Sequence, residues 1–340
     1  MKIFIAEYFT SGLCPGVTHE NSLYQEGWGM LSALLEDVSL YLNETEGECV
    51  TLLGGAPVSA LPVNIQIQNS QSPAEAHQLF QKLVSDADQV YIIAPETEGV
   101  LLQLYDEVAA QSAIWMGCDR NAIQLCSDKW ELGLIWRSLG LPTPVTTQLM
   151  ELKSPEQIAF PIIVKPRDGA GGDQTWRFDE LSEFERFFQF LTADERELYL
   201  LQPYVPGVAC SVSLLSVPGR DYQFPPGEQR IEWREEFHYL GGKIPCCLSD
   251  RAQMVLDAAL SQIRLSIPGL NGYWGLDFIW NENDAESPIT LIEINPRLTT
   301  SYLGYRQLTE QNLAQLWFGQ AMQLVEQMSD IIWKSGPVEF

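Results

Sequence analysis

The first third of the chain alternates between short apolar runs and longer segments in which apolar residues recur every three or four positions. The runs have the length of buried strands, whereas the longer segments have the period of amphipathic helices. The predicted strands are residues 2–6, 49–53 and 89–94, and the predicted helices are residues 22–35, 74–85 and 100–110. This strand–helix alternation predicts a parallel sheet covered by helices.

The rest of the chain predicts strands and helices in a less regular order. A helix over residues 122–139 would end at Gly140-Leu141-Pro142-Thr143-Pro144, a run that interrupts helices. Further strands are predicted at 160–164, 198–202, 211–217, 272–280 and 290–295, and further helices at 180–191, 252–266 and 310–327. In a chain of 340 residues we expect an α/β domain at residues 1–120 and two α+β units at 121–205 and 206–340.

Residues 218–250 show no clear pattern. Pairs of prolines and glycines interrupt this segment, and Arg230, Arg234 and Lys243 concentrate positive charge in it. One interpretation is a surface loop whose charges pair with neighbouring acids such as Glu232. The other is a flap that binds a substrate, since long loops are often functional.

The composition limits the classes of partner. The net charge of −25 argues against nucleic acid and anionic membranes, because phosphate surfaces attract basic proteins. No apolar run is long enough to cross a membrane. The seven cysteines lack metal-ligand spacing, so we expect reduced thiols in a cytoplasmic protein and no zinc site. The sequence does not determine the oligomeric state, and a homodimer is one of the states that it allows.

Polar residues alternate with apolar ones in the run Leu291-Ile292-Glu293-Ile294-Asn295. If this run is a strand, Glu293 and Asn295 point to one face and the isoleucines to the other. Asp277, on a neighbouring predicted strand, would complete a set of hard oxygen ligands. Such a set suits Mg²⁺, with Mn²⁺ as an alternative, bound to the phosphates of ATP.

Cations and glycines that suit phosphate lie nearby in the sequence. Lys129 and Lys165 are two of only seven lysines, and Lys165 is followed by the glycine-rich run Gly169-Ala170-Gly171-Gly172. Backbone N–H groups of such a run can surround phosphate oxygens. An ordinary hairpin would also explain the glycines, since the run matches neither common phosphate-loop pattern.

The next predicted strand ends in the linker Gln202-Pro203-Tyr204-Val205-Pro206-Gly207. Backbone groups of an extended linker can pair with the edge of adenine without particular side chains. Alternatively, Tyr204 and Val205 are core residues. The three histidines, His19, His77 and His238, are interpreted as structural.

Taken in order, these runs resemble the motifs of the ATP-grasp superfamily over residues 110–315. The resemblance rests on Ser127-Asp128-Lys129, the proline-rich run that follows residue 139, Val164-Lys165-Pro166, the glycine-rich run, the Gln202–Gly207 linker, Gly275-Leu276-Asp277 and Glu293-Ile294-Asn295-Pro296-Arg297. It implies an ATP-grasp fold in which two α+β subdomains hold ATP, preceded by a pre-ATP-grasp β/α domain.

The resemblance also implies a role for each matching residue. Lys129 and Lys165 would contact phosphates, residues 169–172 would close over them, and Gln202, Tyr204 and Val205 would meet adenine. Asp277, Glu293 and Asn295 would bind Mg²⁺, and Arg297 would act with Lys165 in catalysis by steadying the transferring phosphoryl group. Many members have an acidic residue for the ribose after the linker, whereas this chain has Gly207-Val208-Ala209-Cys210-Ser211, with Ser211 or Ser213 as substitutes.

A narrower set of runs looks like the tyramine–glutamate ligase branch, which acts in methanofuran biosynthesis. The runs are Glu7-Tyr8, Glu26-Gly27, Ala94-Pro95-Glu96, Tyr239-Leu240-Gly241-Gly242 and Glu293 through Tyr302. This branch implies an ATP-dependent ligase that joins a small carboxylic acid to an amine through an acyl phosphate. The alternatives are a kinase or carboxylase-type enzyme and an ATP-sensing protein without turnover. For the acid substrate, the candidate cations are Arg297 and, in segment 218–250, Arg230, Arg234 and Lys243.

Overall fold

A computed structural model describes residues 1–169, 172, 174–234, 236–319, 330–334 and 336–340. The N-terminal sheet has five parallel strands in the order β3-β2-β1-β4-β5. They are β1 (Lys2–Glu7), β2 (Glu48–Leu53), β3 (Ile65–Asn69), β4 (Gln89–Ile93) and β5 (Ile114–Trp115). The predicted parallel α/β arrangement is therefore confirmed, although the sequence analysis missed β3 and β5.

Helices α1 (Ser22–Leu42), α2 (Pro73–Asp86) and α3 (Val100–Ala109) pack on this sheet. The predicted end of α1 at residue 35 was wrong, because a distant part of the chain stabilises Asp37 inside the helix. Its buried carboxylate accepts hydrogen bonds from Tyr302 Oη at 2.6 Å and Arg306 Nη2 at 2.7 Å. A buried acid with such partners does not end a helix.

The single helix predicted over residues 122–139 is two helices, α4 (Arg120–Ser127) and α5 (Lys129–Ser138). The break is at Asp128, whose backbone is extended and whose side chain accepts hydrogen bonds from the N–H groups of Trp130 and Glu131. Asp128 thus caps α5. Lys129 is therefore the first residue of α5. Its side chain points in a different direction from the one it would have in a single continuous helix.

A four-stranded antiparallel sheet follows, in the order β6-β9-β7-β8. Its strands are β6 (Thr147–Gln148), β7 (Ile162–Pro166), β8 (Trp176–Phe178) and β9 (Tyr199–Pro203), with helices α6 (Leu181–Phe190) and α7 (Ala193–Glu197). It encloses a separate hydrophobic core that includes Ile162, Val164, Phe178, Phe184 and Leu201. The α+β unit predicted here is confirmed.

The last sheet has seven strands, in the order β15-β14-β10-β12-β13-β16 with β11 paired to β10. The strands are β10 (Val208–Val217), β11 (Arg220–Gln223), β12 (Gly227–Trp233), β13 (Phe237–Ile244), β14 (Gly272–Trp280), β15 (Ile289–Asn295) and β16 (Val338–Glu339). Segment 218–250 is therefore largely three strands of a sheet, and the interpretation as a surface loop was wrong.

Helices α8 (Asp250–Ser266), α9 (Tyr302–Tyr305) and α10 (Leu313–Phe318) complete the described elements. The helix predicted over residues 310–327 lies partly outside the described residues, since only its first half is covered. No helix in the described part of the chain is both long enough and apolar enough to span a membrane.

Two hydrophobic clusters join the N-terminal sheet to the seven-stranded sheet. One includes Phe4 and Val90 together with Trp274 and Leu276. The other lies on the opposite side of the N-terminal sheet and brings Tyr91 together with Tyr273 and Trp317. These two sheets therefore share their buried cores, whereas the four-stranded sheet has its own.

Candidate active site

The three predicted metal ligands lie together on two neighbouring strands. In the antiparallel pair β14–β15, Asp277 is opposite Glu293 and Gly275 is opposite Asn295, so the polar side chains share one face. Asn295 Nδ2 donates a hydrogen bond to Asp277 Oδ2 at 3.0 Å, which leaves the amide oxygen available to a cation. From β12, Gln229 Nε2 donates to Asp277 Oδ1 at 3.0 Å.

The charges of this set fit a divalent cation. Burial, together with the facing charge of Glu293, raises the pKa of Asp277 to about 7. Burial also opposes the charge of Glu293, but the ammonium groups of Lys129 and Lys165 outweigh it and lower the pKa of that carboxyl. Two half-buried carboxylates and an amide oxygen are hard ligands for Mg²⁺. In the described residues, no group of three or more His, Cys, Asp or Glu side chains is placed to hold a metal, so further ligands would come from substrate or water.

Both predicted phosphate lysines lie beside these carboxylates. Lys165, on β7, is buried, and this burial lowers the pKa of its ammonium group to about 8 although Glu293 opposes the change. Lys129 Nζ lies 3.5 Å from Glu293 Oε2 and donates a hydrogen bond to the carbonyl oxygen of Gly169 at 2.6 Å. Lys129 thus connects the glycine-rich run to the predicted metal ligands.

The glycine-rich run packs against the hairpin formed by β12 and β13. Ala170 and Gly171 lie outside the described residues, but Gly169 and Gly172 are described. Gly172 has a φ of +76°, and a Cβ atom there would collide with the Phe237 ring. Only glycine tolerates both the positive φ and the close contact with the ring. The Phe237 N–H also donates to the carbonyl oxygen of Thr175 at 3.0 Å, so the hairpin closes one side of the cleft.

The predicted adenine-binding residues line the same cleft. Gln202 is buried and its Nε2 donates to Thr146 Oγ1 at 2.8 Å, while the guanidinium carbon of Arg177 lies 4.2 Å from the centre of the Tyr204 ring. Val205 also contributes to the wall. The candidate ribose residues lie further along β10, where Ser211 is opposite Asp277. Ser213 is two pairs beyond it, opposite Gly275, so its side chain is on the same face of the sheet as Ser211.

Arg297 reaches the cleft from the residues that follow β15. Its Nε donates to both carboxylate oxygens of Glu96, at 3.1 and 3.2 Å, and the two side chains are only 13% and 4% exposed. Burial alone would lower the pKa of the guanidinium, but Glu96 more than offsets this effect and raises it. Glu96 was noticed in the sequence only through a resemblance, because nothing in its local pattern shows a partner 201 residues away.

The basic residues of segment 218–250 do not line the cleft. Arg230 pairs with Glu339 at 3.2 Å and Arg234 pairs with Glu232 at 2.8 Å, both at the surface, and Lys243 is also exposed. In β12 the alternate residues Gln229, Ile231 and Trp233 line the cleft instead. The segment therefore contributes to the site through uncharged side chains. The alternation of side chains along a strand would have distinguished the β12 residues that face the cleft from the arginines at the positions that alternate with them.

Together these side chains surround one cleft that is open to solvent. All three sheets or their connections contribute to it. Several lining residues have no role predicted from the sequence, namely Glu26, Met30, Gln229, Tyr239, Thr299 and Thr300. Glu26 and Met30 come from α1, which looked like an ordinary amphipathic helix in the sequence.

Comparison with family models agrees with this architecture. Residues 126–301, just over half of the chain, match the ATP-grasp domain, and residues 51–123 match the pre ATP-grasp 3 domain. The chain therefore belongs to the ATP-grasp superfamily. A crystal structure of an ATP-grasp superfamily protein from Archaeoglobus fulgidus has the same fold, with a TM-score of 0.71, 21% identity and coverage of 100% of this chain and 99% of that one.

Within the superfamily, the chain is similar to two proteins named tyramine–L-glutamate ligase. The protein from Methanocaldococcus fervens is 31% identical over 231 residues, which are 67% of this chain and 64% of the relative. The protein from Methanocaldococcus jannaschii is 28% identical over 260 residues, which are 74% of this chain and 70% of the relative. The match thus spans just under two thirds of the first relative's length. These similarities support the predicted resemblance to the tyramine–glutamate ligase branch.

Proposed function

We propose that this chain is an ATP-dependent ligase that joins a carboxylic acid to an amine. The observation that carries the proposal is the grouping of Asp277, Glu293 and Asn295 with Lys165 and Arg297 in one cleft, where Lys129 Nζ lies 3.5 Å from Glu293 Oε2. Cations and metal ligands at one point are what phosphoryl transfer to a carboxylate requires, because negative charge accumulates there.

Each group has a role in this proposal. Lys129 and Lys165 bind phosphate oxygens, with residues 169–172 over them, and Gln202, Tyr204 and Val205 form the adenine side. Asp277, Glu293 and Asn295 hold Mg²⁺, which would neutralise phosphate charge when bound. Arg297 stabilises the transferring group where it meets the acid. The corresponding division of the chain is a β/α domain at 1–120 and two ATP-grasp subdomains at 121–205 and 206–340.

The reaction consumes both substrates and needs no protein nucleophile. The substrate carboxylate attacks the γ-phosphorus of ATP, which gives an acyl phosphate and ADP. The amine then attacks the acyl carbon, the C–O bond to phosphate breaks, and an amide and inorganic phosphate result. His19, His77 and His238 are not among the lining residues of the cleft, in agreement with this chemistry.

We further propose glutamate as the acid and tyramine or a related amine as its partner, in the synthesis of a methanofuran-type one-carbon cofactor. The support is the similarity to the two Methanocaldococcus ligases. A kinase or carboxylase-type enzyme would use the same cations and metal ligands, as would an ATP sensor. The complete set of ligand positions favours an active enzyme over a sensor.

The test is an ADP-release screen of acids against amines with Mg²⁺, beginning with glutamate and tyramine, and with mass spectrometry of the products. We expect ADP and an amide only when both substrates are present. ADP release with the acid alone would instead select the kinase or carboxylase interpretation. Nucleotide binding without turnover across the panel would select the sensor.

A further inference from the structure

One carboxylate in the cleft has no assigned role. Glu26 is on α1 and lines the cleft, and Met30, one helical turn later, lines it as well. The Glu26 side chain is accessible, and it forms no hydrogen bond or ion pair with the residues that the structure describes. Partial enclosure raises the pKa of this carboxyl, which Arg297 partly counteracts.

The cation that acts on the charge of Glu26 is already matched by another group. This cation is Arg297, which is paired with Glu96. The nearby Tyr239 is neutral at ordinary pH, because burial raises its pKa to about 12. An accessible carboxylate without a cation of its own, in a cleft that binds substrates, is suited to a cationic group of a ligand.

A neighbouring hydroxyl fits the same interpretation. Thr300 Oγ1 donates a hydrogen bond to Tyr239 Oη at 3.2 Å, so its own oxygen lone pairs can accept a hydrogen bond from a ligand. Glu26 and Thr300 therefore offer oxygen acceptors on this side of the cleft, whereas Arg297 offers a donor for a carboxylate.

We propose that Glu26 binds a primary ammonium group of a substrate, with Thr300 as a second acceptor and Met30 against the adjoining carbon chain. This assignment rests on the proposed ligase function. Two sources have this chemistry: the amine substrate before it loses its proton, and the α-ammonium group of an amino-acid substrate. In either case Glu26 determines specificity and does not take part in the covalent steps.

The test compares the full-length protein with Glu26→Gln, which removes the charge and keeps the shape. Glu20→Gln is the matched control, because Glu20 is an exposed acid in the preceding turn and does not line the cleft. ADP release is measured while tyramine, glutamate and ATP are varied in turn. We expect the KM of one substrate to rise about tenfold to a hundredfold in Glu26→Gln and that of ATP to stay unchanged.

The substrate that is affected identifies the source of the ammonium group. A higher KM for tyramine assigns Glu26 to the amine. A higher KM for glutamate assigns it to the α-ammonium, and the variant should then lose the wild-type preference for glutamate over glutarate. Glu26→Asp, which retains the charge, should have an intermediate KM. Unchanged KM values for both substrates, or equal changes that include ATP, would overturn the proposal.

Failure of the proposed function would be recognised separately. If the wild-type protein releases no ADP with any pair of substrates, the ligase proposal fails, and the Glu26 assignment is judged by calorimetric titration of tyramine and of glutamate. Binding that is lost in Glu26→Gln and kept in Glu20→Gln supports the assignment. Equal binding by all three proteins, or none by the wild type, overturns it.

Discussion

The buried pair of Arg297 and Glu96 gives the sharpest test of the arrangement in the cleft. The two residues join the end of β15 to the residues after β4, and their side chains are 13% and 4% exposed. Removal of either partner leaves a charge in a site with little access to water. We therefore expect Glu96→Gln and Arg297→Met each to lower the free energy of unfolding by about 3–5 kcal/mol.

The double variant should be more stable than the sum of the single effects predicts. Neither buried charge is present in it, so we expect a coupling free energy of about 1–3 kcal/mol. The loss of unfolding free energy in Glu96→Gln should be at the low end of the range of about 3–5 kcal/mol. The reason is that the amide oxygen can still accept one hydrogen bond from Arg297 Nε. Urea unfolding followed by tryptophan fluorescence measures all four proteins.

A surface pair in the same chain is the control for this cycle. Arg120 Nε and Asp106 Oδ1 are 2.8 Å apart, but both side chains are about half exposed, at 47% and 46%. The corresponding variants Arg120→Met and Asp106→Asn should show a much smaller coupling that salt reduces further. A coupling for Arg297 and Glu96 no larger than that of the surface pair would refute the argument from burial.

Three further predictions concern the phosphate site, the metal site and a buried acid. Lys165→Ala should weaken ATP binding roughly tenfold to a hundredfold by calorimetry, whereas the exposed Lys153→Ala should not, and equal affinities would count against the phosphate role. Glu293→Gln should abolish ADP formation while the circular dichroism spectrum is retained, and near-normal turnover would remove the metal assignment. Burial raises the pKa of Glu7 from 4.5 to about 7, so the fold favours the neutral acid and the free energy of unfolding falls as pH rises between these values. Glu7→Gln should therefore gain about 3 kcal/mol over wild type between pH 4.5 and pH 8 in urea titrations, and a constant difference would contradict this.

Local periodicity was enough to predict the β15 residues of the site. Glu293 and Asn295 alternate with isoleucines, and a strand of that pattern can place them only on one face. Three of the five N-terminal strands, β1, β2 and β4, were predicted for a similar reason, because their continuous apolar runs match burial on both faces. The grouping of Asp277 with Glu293 also followed once both segments were taken as strands.

Features that depend on distant partners could not be predicted in this way. The continuation of α1 depends on Asp37 meeting Tyr302 and Arg306, and no window along the helix contains that information. The break at Asp128 had a local signal, since an aspartate can cap the helix that follows it. However, apolar residues recur at helical spacing on both sides of Asp128, and this pattern favoured one continuous helix. The pairing of Glu96 with Arg297 likewise exists only in the folded chain.

The distribution of hydrophobic cores determines which parts of the chain can move as one body. Three sheets are present, but the N-terminal and seven-stranded sheets share their cores, so the described chain contains two mechanical units and not three. The chain enters and leaves the smaller unit only through residues 139–146 and 204–207, and both crossings contain proline. Native-state hydrogen exchange should therefore find β7 and β9 opening together, apart from β1 and β14. A rotation of the four-stranded unit about these two crossings would then widen or narrow the cleft, with the remainder of the protein as its fixed base.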